Sequence, residues 1–271
     1  MPTISVILPI YNELEYLKHC IRSIIENTRT PITVILSNDA SWSETTTYCK
    51  KLISLKFPYV TFKYTENRVN AGFTYTVNQG IELHQADYYI LLNTDTIIGT
   101  TNWVKKIIKV GESDSHIGLL GPVSNNANSQ TITQTSEIPL SWTPKQFGYL
   151  LEQVSIRSNP PLTLINGFCY VIKHSVIADI GIFDRNKYPH YGSEDDFSMR
   201  AYERGWKAVC VDSVFVWHKR SQSYKSNKQP LKNESCRLFT RQYQHNHIRD
   251  IIIKDKQGLD PLRDKIKFLL S

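Results

Sequence analysis

The segment Tyr88-Tyr89-Ile90-Leu91-Leu92, which breaks into Asn93-Thr94-Asp95-Thr96, constrains this chain more than any other. A short apolar run bounded by turn formers reads as a buried strand, and open α/β sheets place their ligands outside the C-terminal ends of such strands. Asp95 is therefore expected to face a site, with capping of the following turn as its other reading. A single carboxylate suffices for a hard cation such as Mn²⁺ or Mg²⁺ when a bound diphosphate supplies the remaining oxygens.

The sequence around this run alternates strand and helix. Residues 4–10 form a β-rich run closed by Tyr11-Asn12-Glu13, and residues 14–26 carry Leu14, Leu17, Ile21, Ile24 and Ile25 at helical spacing. A strand over 32–36 ends in Ser37-Asn38-Asp39-Ala40-Ser41, and a helix is predicted over 43–55, a strand over 60–64 and a helix over 70–83. Four strands with polar C-terminal ends describe a nucleotide-binding α/β layer. Beyond it the pattern predicts a helix over 103–110, a strand over 117–120 and a long polar loop over 124–137 of the kind that serves as a lid. Strands over 162–165 and 169–172 flank Asn166-Gly167, and a helix over 196–204 precedes a strand over 208–217 that leads to His218. A polar linker begins at Ser221, with one or two amphipathic helices after it.

Composition excludes several classes. With 271 residues and 41% hydrophobic content the chain can bury a full core. No apolar run approaches the ~20 residues that span a bilayer, and the start, Met1-Pro2-Thr3-Ile4-Ser5-Val6, lacks a charged leader region, so cytoplasmic residence is the expectation. Five widely spaced cysteines without a C-x-x-C pair read as reduced thiols, and no Cys/His spacing supports zinc. Much of the net charge of +7 sits late, from Lys219 to Lys267. Tyr224, Phe239 and Tyr243 interleave with it, but no nucleic-acid motif frames them; the excess reads as a solvated helical face or a surface for anionic lipid head groups.

Several constellations carry chemistry. Asp39 closes the second strand, where it can accept from a base or ribose, or form a turn. Pro9, Tyr11 and Glu13 border the same crevice, and Glu13 alternatively stabilises the first turn of its helix. Asn67-Arg68-Val69-Asn70-Ala71-Gly72 is a helix start in which Gly72 permits close backbone approach and the helix terminus favours phosphate. Neither the P-loop nor the dinucleotide fingerprint is present, which argues against an ATPase or a dehydrogenase, and no G-x-S-x-G supports a serine hydrolase. In Gly192-Ser193-Glu194-Asp195-Asp196 three adjacent carboxylates repel one another, which raises at least one pKa and suits a general base, with helix capping as the competing role. His218 ends its strand as a ligand for Mn²⁺ or as a structural imidazole.

Taken in order, these segments resemble family 2 glycosyltransferases of the GT-A fold over about the first 220 residues. The motifs are Val6 to Glu13, Asn38 to Ser41, Asn67 to Gly72 with Asn78 and Gly80, Leu92 to Thr96, Gly192 to Arg200, and Trp217-His218. The resemblance implies a Rossmann-like mixed sheet flanked by helices, with a nucleotide-binding half over 1–98, an acceptor and catalytic half over 99–220 and a basic helical C-terminal extension over 221–271. It implies metal-dependent, inverting transfer of a sugar from a UDP-, dTDP- or GDP-linked donor to a saccharide or lipid-linked saccharide. Bacterial surface-glycan enzymes such as rhamnosyltransferases are the expected relatives, and the protein is expected in the cytoplasm or peripherally at the inner membrane face. Carried over, Asp95 and His218 bind Mn²⁺ or Mg²⁺, and Asp39 holds the nucleoside with Pro9, Tyr11, Glu13, Asn70, Gly72, Asn93 and Thr94 around the donor. Glu194 is the base, with Asp195 as the alternative in a register shifted by one. Asn93 stands where many members have a first Asp. The Q-x-x-R-W signature of processive synthases is absent. A non-catalytic module that holds a nucleotide-sugar or glycan is the alternative reading.

Overall fold

The structure is a computed structural model that describes residues 1–219, 228–243 and 245–270. The first half alternates as expected: β1 (Ile4–Ile10), α1 (Leu14–Asn27), β2 (Ile32–Asn38), α2 (Ser43–Leu52), β3 (Val60–Glu66), α3 (Phe73–Leu83), β4 (Tyr88–Leu92) and a short β5 (Thr96–Ile98). There follow α4 (Trp103–Gly111), β6 (Ile117–Val123), α5 (Pro144–Val154), β7 (Pro161–Leu162), β8 (Cys169–Lys173), α6 (His174–Ile180), α7 (Ser193–Glu203) and β9 (Lys207–His218). Three helices end the described chain: α8 (Lys228–Tyr243), α9 (His245–Gln257) and α10 (Asp260–Leu270).

Among the described residues nine strands join in the order β3-β2-β1-β4-β8-β6-β9-β5, with β7 also paired to β9. β1, β2, β3 and β4 are mutually parallel, whereas β8 runs antiparallel to both β4 and β6. The strand order reverses at β1 and β4, which opens a crevice at their C-terminal ends. All five residues of β4 are buried, because helices cover both faces of the sheet. One apolar cluster packs Leu17, Ile21, Trp103 and Ile107 against the strands; the other packs Val77, Ile81, Phe147 and Phe197.

Local chemistry explains the departures from the sequence pattern. The helix expected from residue 70 starts at Phe73 because Gly72 holds a φ of 89°, and the preceding backbone turns to meet Asp39. Within the polar stretch 124–137 there are 3₁₀ turns at Asn128–Gln130 and Thr135–Glu137. Helix α5 was not anticipated, although Thr143-Pro144-Lys145-Gln146 spells its start: the Thr143 hydroxyl accepts from the Gln146 N–H, and Pro144 occupies the first turn. β5 is three residues long, too short to show a period.

The C-terminal helices merge with the core. Leu259, Leu262 and Ile266 lie in the same apolar cluster as Phe147 and Phe197. Phe239 and Tyr243 are buried with Tyr188, Met199 and Ile251, so these two rings do not form a base-stacking platform; Tyr224 lies outside the described residues. The buried Asp255 accepts from the backbone N–H of Thr163 at 2.9 Å and of Leu164 at 3.0 Å, which fastens α9 beside β7. Among the described residues no helix is long and apolar enough to cross a membrane.

β5 is mounted on the end of α1. Asn27 Nδ2 donates to the Ile98 carbonyl at 3.1 Å and to Ser23 O at 3.0 Å, while the Ser23 hydroxyl accepts from the Ile98 N–H. Asn27→Ala leaves a buried carbonyl without its donor, and the expected cost is about 1–3 kcal/mol. Urea titration should show a lower midpoint at an unchanged slope; an unchanged midpoint would mean that this mount contributes nothing.

Candidate active site

The metal-ligand candidates meet through strand pairing. After β4 the Asn93 carbonyl accepts from the Thr96 hydroxyl at 2.7 Å, and this turn leads directly into β5. β5 runs antiparallel to the end of β9 with Thr96 opposite His218, and the Lys219 N–H donates to the Asp95 carbonyl at 3.0 Å. Asp95 Oδ1 and His218 Nε2 consequently face each other at 3.5 Å, with the two residues 8% and 7% exposed. The His218 N–H donates to Asn125 Oδ1 at 2.8 Å, and its ring Nδ1 lies 2.8 Å from the Asn126 carbonyl. A carbonyl only accepts, so this contact places a proton on Nδ1 and turns Nε2 toward Asp95. Phe168 stacks on the imidazole at 5.4 Å and 20°.

A ring nitrogen and a carboxylate oxygen that face each other can both bind one cation, and the contact of the other ring nitrogen with a backbone carbonyl matches the habit of metal-binding histidines. The donor set therefore fits Mn²⁺ or Mg²⁺. Among the described residues no third His, Cys, Asp or Glu joins the pair, so ligand oxygens and water would have to complete the shell. Asn93, in the place of a first acid, is held by its backbone: its N–H donates to the Phe168 carbonyl at 3.0 Å. Thr94 is buried within the same turn.

The acidic cluster divides its labour. Gly192, with a φ of 84°, turns the chain into α7, and the three acids fall in its first turn. Asp196 is not part of a repelling triad: its carboxylate accepts from Arg200 Nε at 2.8 Å and from the buried Tyr243 hydroxyl at 2.9 Å. Glu194 and Asp195 are only partly covered. Burial raises the pKa of Glu194, against the opposing hydrogen bond from the Ser193 hydroxyl at 2.9 Å. Burial, with the neighbouring Glu194 charge, pushes Asp195 up to about 7. A Cβ on Gly167 would stand 2.0 Å from Glu194 Oε1, so the carboxylate lies directly on the Asn166-Gly167-Phe168 backbone. That three-residue segment touches Glu194 with its glycine and stacks on His218 with its phenylalanine, which brings the two candidate centres to one cleft.

On the nucleoside side the Asp39 carboxylate is 3% exposed and already accepts from Asn67 Nδ2 at 2.8 Å, Ala71 N at 2.7 Å and Gly72 N at 3.0 Å. The Thr74 N–H donates to the Pro189 carbonyl at 3.1 Å. The N–H groups of Ala71, Gly72 and Thr74, at the helix start where a phosphate was expected, are thus engaged within the protein. Asn70 is exposed on the same turn. Across the crevice, the Asn12 N–H donates to the Ser41 hydroxyl at 2.9 Å, and Asn12 Oδ1 accepts from the Trp42 N–H at 2.8 Å. These bonds fix the loop that carries Pro9, Tyr11 and Glu13 against the loop that carries Asp39. Glu13 itself adopts a left-handed conformation with a φ of 51° as the first residue before α1.

Sequence reasoning read 124–137 as a loop of the lid kind without singling out Asn125, Asn126 and Gln130 within it, and it did not reach Tyr170. Gln130 Oε1 accepts from the Asn166 N–H at 2.7 Å, and the Tyr170 hydroxyl bonds Ser198 Oγ at 2.7 Å and the Glu194 carbonyl at 3.3 Å. The amide-rich run Ser124-Asn125-Asn126-Ala127-Asn128-Ser129-Gln130 was the visible signal, but which amide meets which partner depends on the tertiary fold.

A carboxylate–imidazole pair and an acidic pair at the switch point of a mixed sheet define a GT-A-type α/β protein. The description "Glycosyl transferase family 2" matches residues 5–181. The chain belongs to this family. An uncharacterized glycosyltransferase of Rickettsia typhi is 27% identical over 225 residues, which cover 80% of this chain and 62% of that protein. One from Haemophilus influenzae is 29% identical over 120 residues, 44% of this chain and 36% of its own. The chain thus spans between about a third and three fifths of the length of these relatives. Among solved structures, the mannosyltransferase PcManGT of Pyrobaculum calidifontis, in complex with GDP-Man and Mn²⁺, aligns with a TM-score of 0.64 at 14% identity over 99% of this chain and 74% of its own. S. aureus TarS 1–349 in complex with UDP-GlcNAc aligns with a TM-score of 0.57 at 14% identity over 94% and 71%. These likenesses establish the fold.

The raised carboxyl of Asp195 costs stability at neutral pH. Below the ordinary carboxyl range both folded and unfolded chains hold this proton; above it the unfolded chain releases the proton while the folded one retains it up to about pH 7. The folded state then binds more protons, and stability falls as pH rises through that window. Asp195→Asn should therefore melt at a higher temperature than the parent at pH 8, with the gap closing by pH 4. A constant gap across this range would show that Asp195 titrates as an ordinary acid.

Proposed function

We propose that this chain transfers a sugar, with inversion, from a nucleoside diphosphate donor to an acceptor hydroxyl, using Mn²⁺ or Mg²⁺ held by Asp95 and His218. The observation that carries the reading is the buried 3.5 Å approach of Asp95 Oδ1 to a His218 Nε2 whose ring is fixed from behind by the Asn126 carbonyl. A bound cation supplies electrostatic stabilisation of charge on the departing diphosphate.

The protein groups perform the remaining tasks. Asp39 keeps one lone pair on Oδ2 for an N–H or hydroxyl of the nucleoside, in a crevice walled by Pro9, Tyr11, Glu13 and Asn70. Asn93 and Thr94 border the donor beside Asp95. Glu194 takes the proton from the acceptor hydroxyl as its oxygen attacks the anomeric carbon from the face opposite the diphosphate. Burial, and after it the charge of Glu194, raises the pKa of the Asp195 carboxyl to about 7, which divides the two acids into base and partner. A saccharide or lipid-linked saccharide is the acceptor, within surface-glycan synthesis. Peripheral contact with an anionic membrane, at the inner face of the cell membrane, has a physical basis in Phe268 and Leu269, exposed 78% and 46% on α10 beside Lys265 and Lys267.

The supporting context is the family itself, together with the GDP-Man and Mn²⁺ in one structural relative and UDP-GlcNAc in another. The test is release of nucleoside diphosphate from a panel of UDP-, dTDP- and GDP-sugars with Mn²⁺. One donor should turn over, and chelation or Asp95→Ala should abolish release. Glu194→Gln should lower kcat about 10²–10⁴-fold. Gly167→Ala, which drives a methyl into the Glu194 carboxylate, should reproduce that loss with donor affinity retained. Donor binding without turnover on any acceptor would assign the non-catalytic holding role instead, and no donor binding with Mn²⁺ would overturn the site.

A further inference from the structure

The loop that holds His218 is itself held from outside by a residue remote in sequence. Residues 124–131 close on themselves: the Ser124 N–H donates to the Gln130 carbonyl at 3.0 Å, the Ile132 N–H to the Ser124 carbonyl at 3.0 Å, and the Ala127 N–H to the Thr131 hydroxyl at 2.7 Å. The inner rim of this ring carries the His218 contacts of Asn125 and Asn126, and Gln130 reaches from it to the Asn166 N–H. On its outer rim Arg263 of α10 spans two backbone carbonyls, with Nε on Thr131 O at 2.8 Å and Nη2 on Ser129 O at 2.6 Å. Its remaining nitrogen, Nη1, donates to Asp260 Oδ1 at 2.7 Å and to the Lys256 carbonyl, so the guanidinium plane is fixed on the helix side as well.

We infer that Arg263 is a positioning residue for the glycosyl-transfer site, acting through the 124–131 ring on the orientation of the His218 imidazole. The inference rests on the metal reading of Asp95 and His218 given above. Two parallel bonds to neighbouring carbonyls demand a planar fork, which a lysine ammonium does not have. Asn125 and Gln130 tie the inner rim to His218 and Asn166, and the clamp holds the opposite rim to α10. Outer partners of this kind typically change metal affinity or activity 10–100-fold. The clamp borders a groove of about 640 Å³ between the ring and α10, and the Arg263 side chain is 22% exposed, so a small cation can reach its place from solvent.

The experiment compares the parent with Arg263→Ala, Arg263→Lys and Lys265→Ala. Lys265 lies on the same helix, but its Nζ donates to Val154 O on α5, away from the ring, and it serves as the packing control. Histidine-detected ¹⁵N NMR of the metal-free proteins should show a single His218 ring state in the parent and in Lys265→Ala, and a mixture of ring states in Arg263→Ala. Mn²⁺ affinity in the presence of nucleoside diphosphate, and kcat, should fall about tenfold to a hundredfold in Arg263→Ala. Arg263→Lys should recover only part of this, and free guanidinium should rescue Arg263→Ala but not Asp95→Ala. A His218 ring state and Mn²⁺ affinity unchanged in Arg263→Ala would overturn the inference while leaving the transferase reading intact. Absence of Mn²⁺ binding in the parent would remove the reading on which it rests and the inference with it. Equal losses in Arg263→Ala and Lys265→Ala, without guanidinium rescue, would reduce Arg263 to ordinary helix packing and likewise overturn it.

Discussion

Everything at the cleft depends on three residues of β5 pairing with the end of β9. This pairing sets Asp95, just beyond the central strand β4, against His218, which the chain reaches only after completing the second half of the sheet. Backbone ladders are rigid and their register is discrete: a slip of one residue would turn His218 to the opposite face. The side-chain geometry of the candidate metal site is thus inherited from main-chain hydrogen bonds, and α1 supports the same ladder from beneath through Asn27 and Ser23. A three-residue strand thus sets the geometry of the candidate metal pair.

The acidic pair shows the opposite relation between site and scaffold. Glu194 and Asp195 stand side by side, partly withdrawn from water and raised in pKa, where two neutral residues would be more comfortable. Asp196 is placed one step further and is fully compensated by Arg200 and Tyr243. The same helix start therefore holds one carboxylate that stabilises the fold and two that tax it. Gly167 completes the arrangement from the turn before β8 by presenting backbone, and no side chain, to the Glu194 carboxylate.

How much of this was legible depended on the range of the interaction. The four parallel strands and their helices followed from apolar periodicity, because helices cover both sheet faces and leave β4 continuously apolar. Asp95, His218 and the acidic run stood out since each ends or begins a regular element. The start of α5 was written in Thr143-Pro144-Lys145-Gln146, beyond the polar stretch read as loop, and was passed over. The role of Asp39 was harder: one carboxylate at a strand end serves a ligand or a turn equally well in sequence, and its bonds to Asn67, Ala71 and Gly72 come from a connector decided by the fold. The three acids looked equivalent because the partner that singles out Asp196, Tyr243, lies in a helix far along the chain.

Arg263 grips its loop by the peptide carbonyls of Ser129 and Thr131, without touching the side chains there. A fastening of that kind is blind to residue identity. Substitutions on the ring that keep its backbone path leave the guanidinium's two partners in place, whereas one that redirects the main chain at Ser129 or Thr131 loosens the hold whatever side chain it brings.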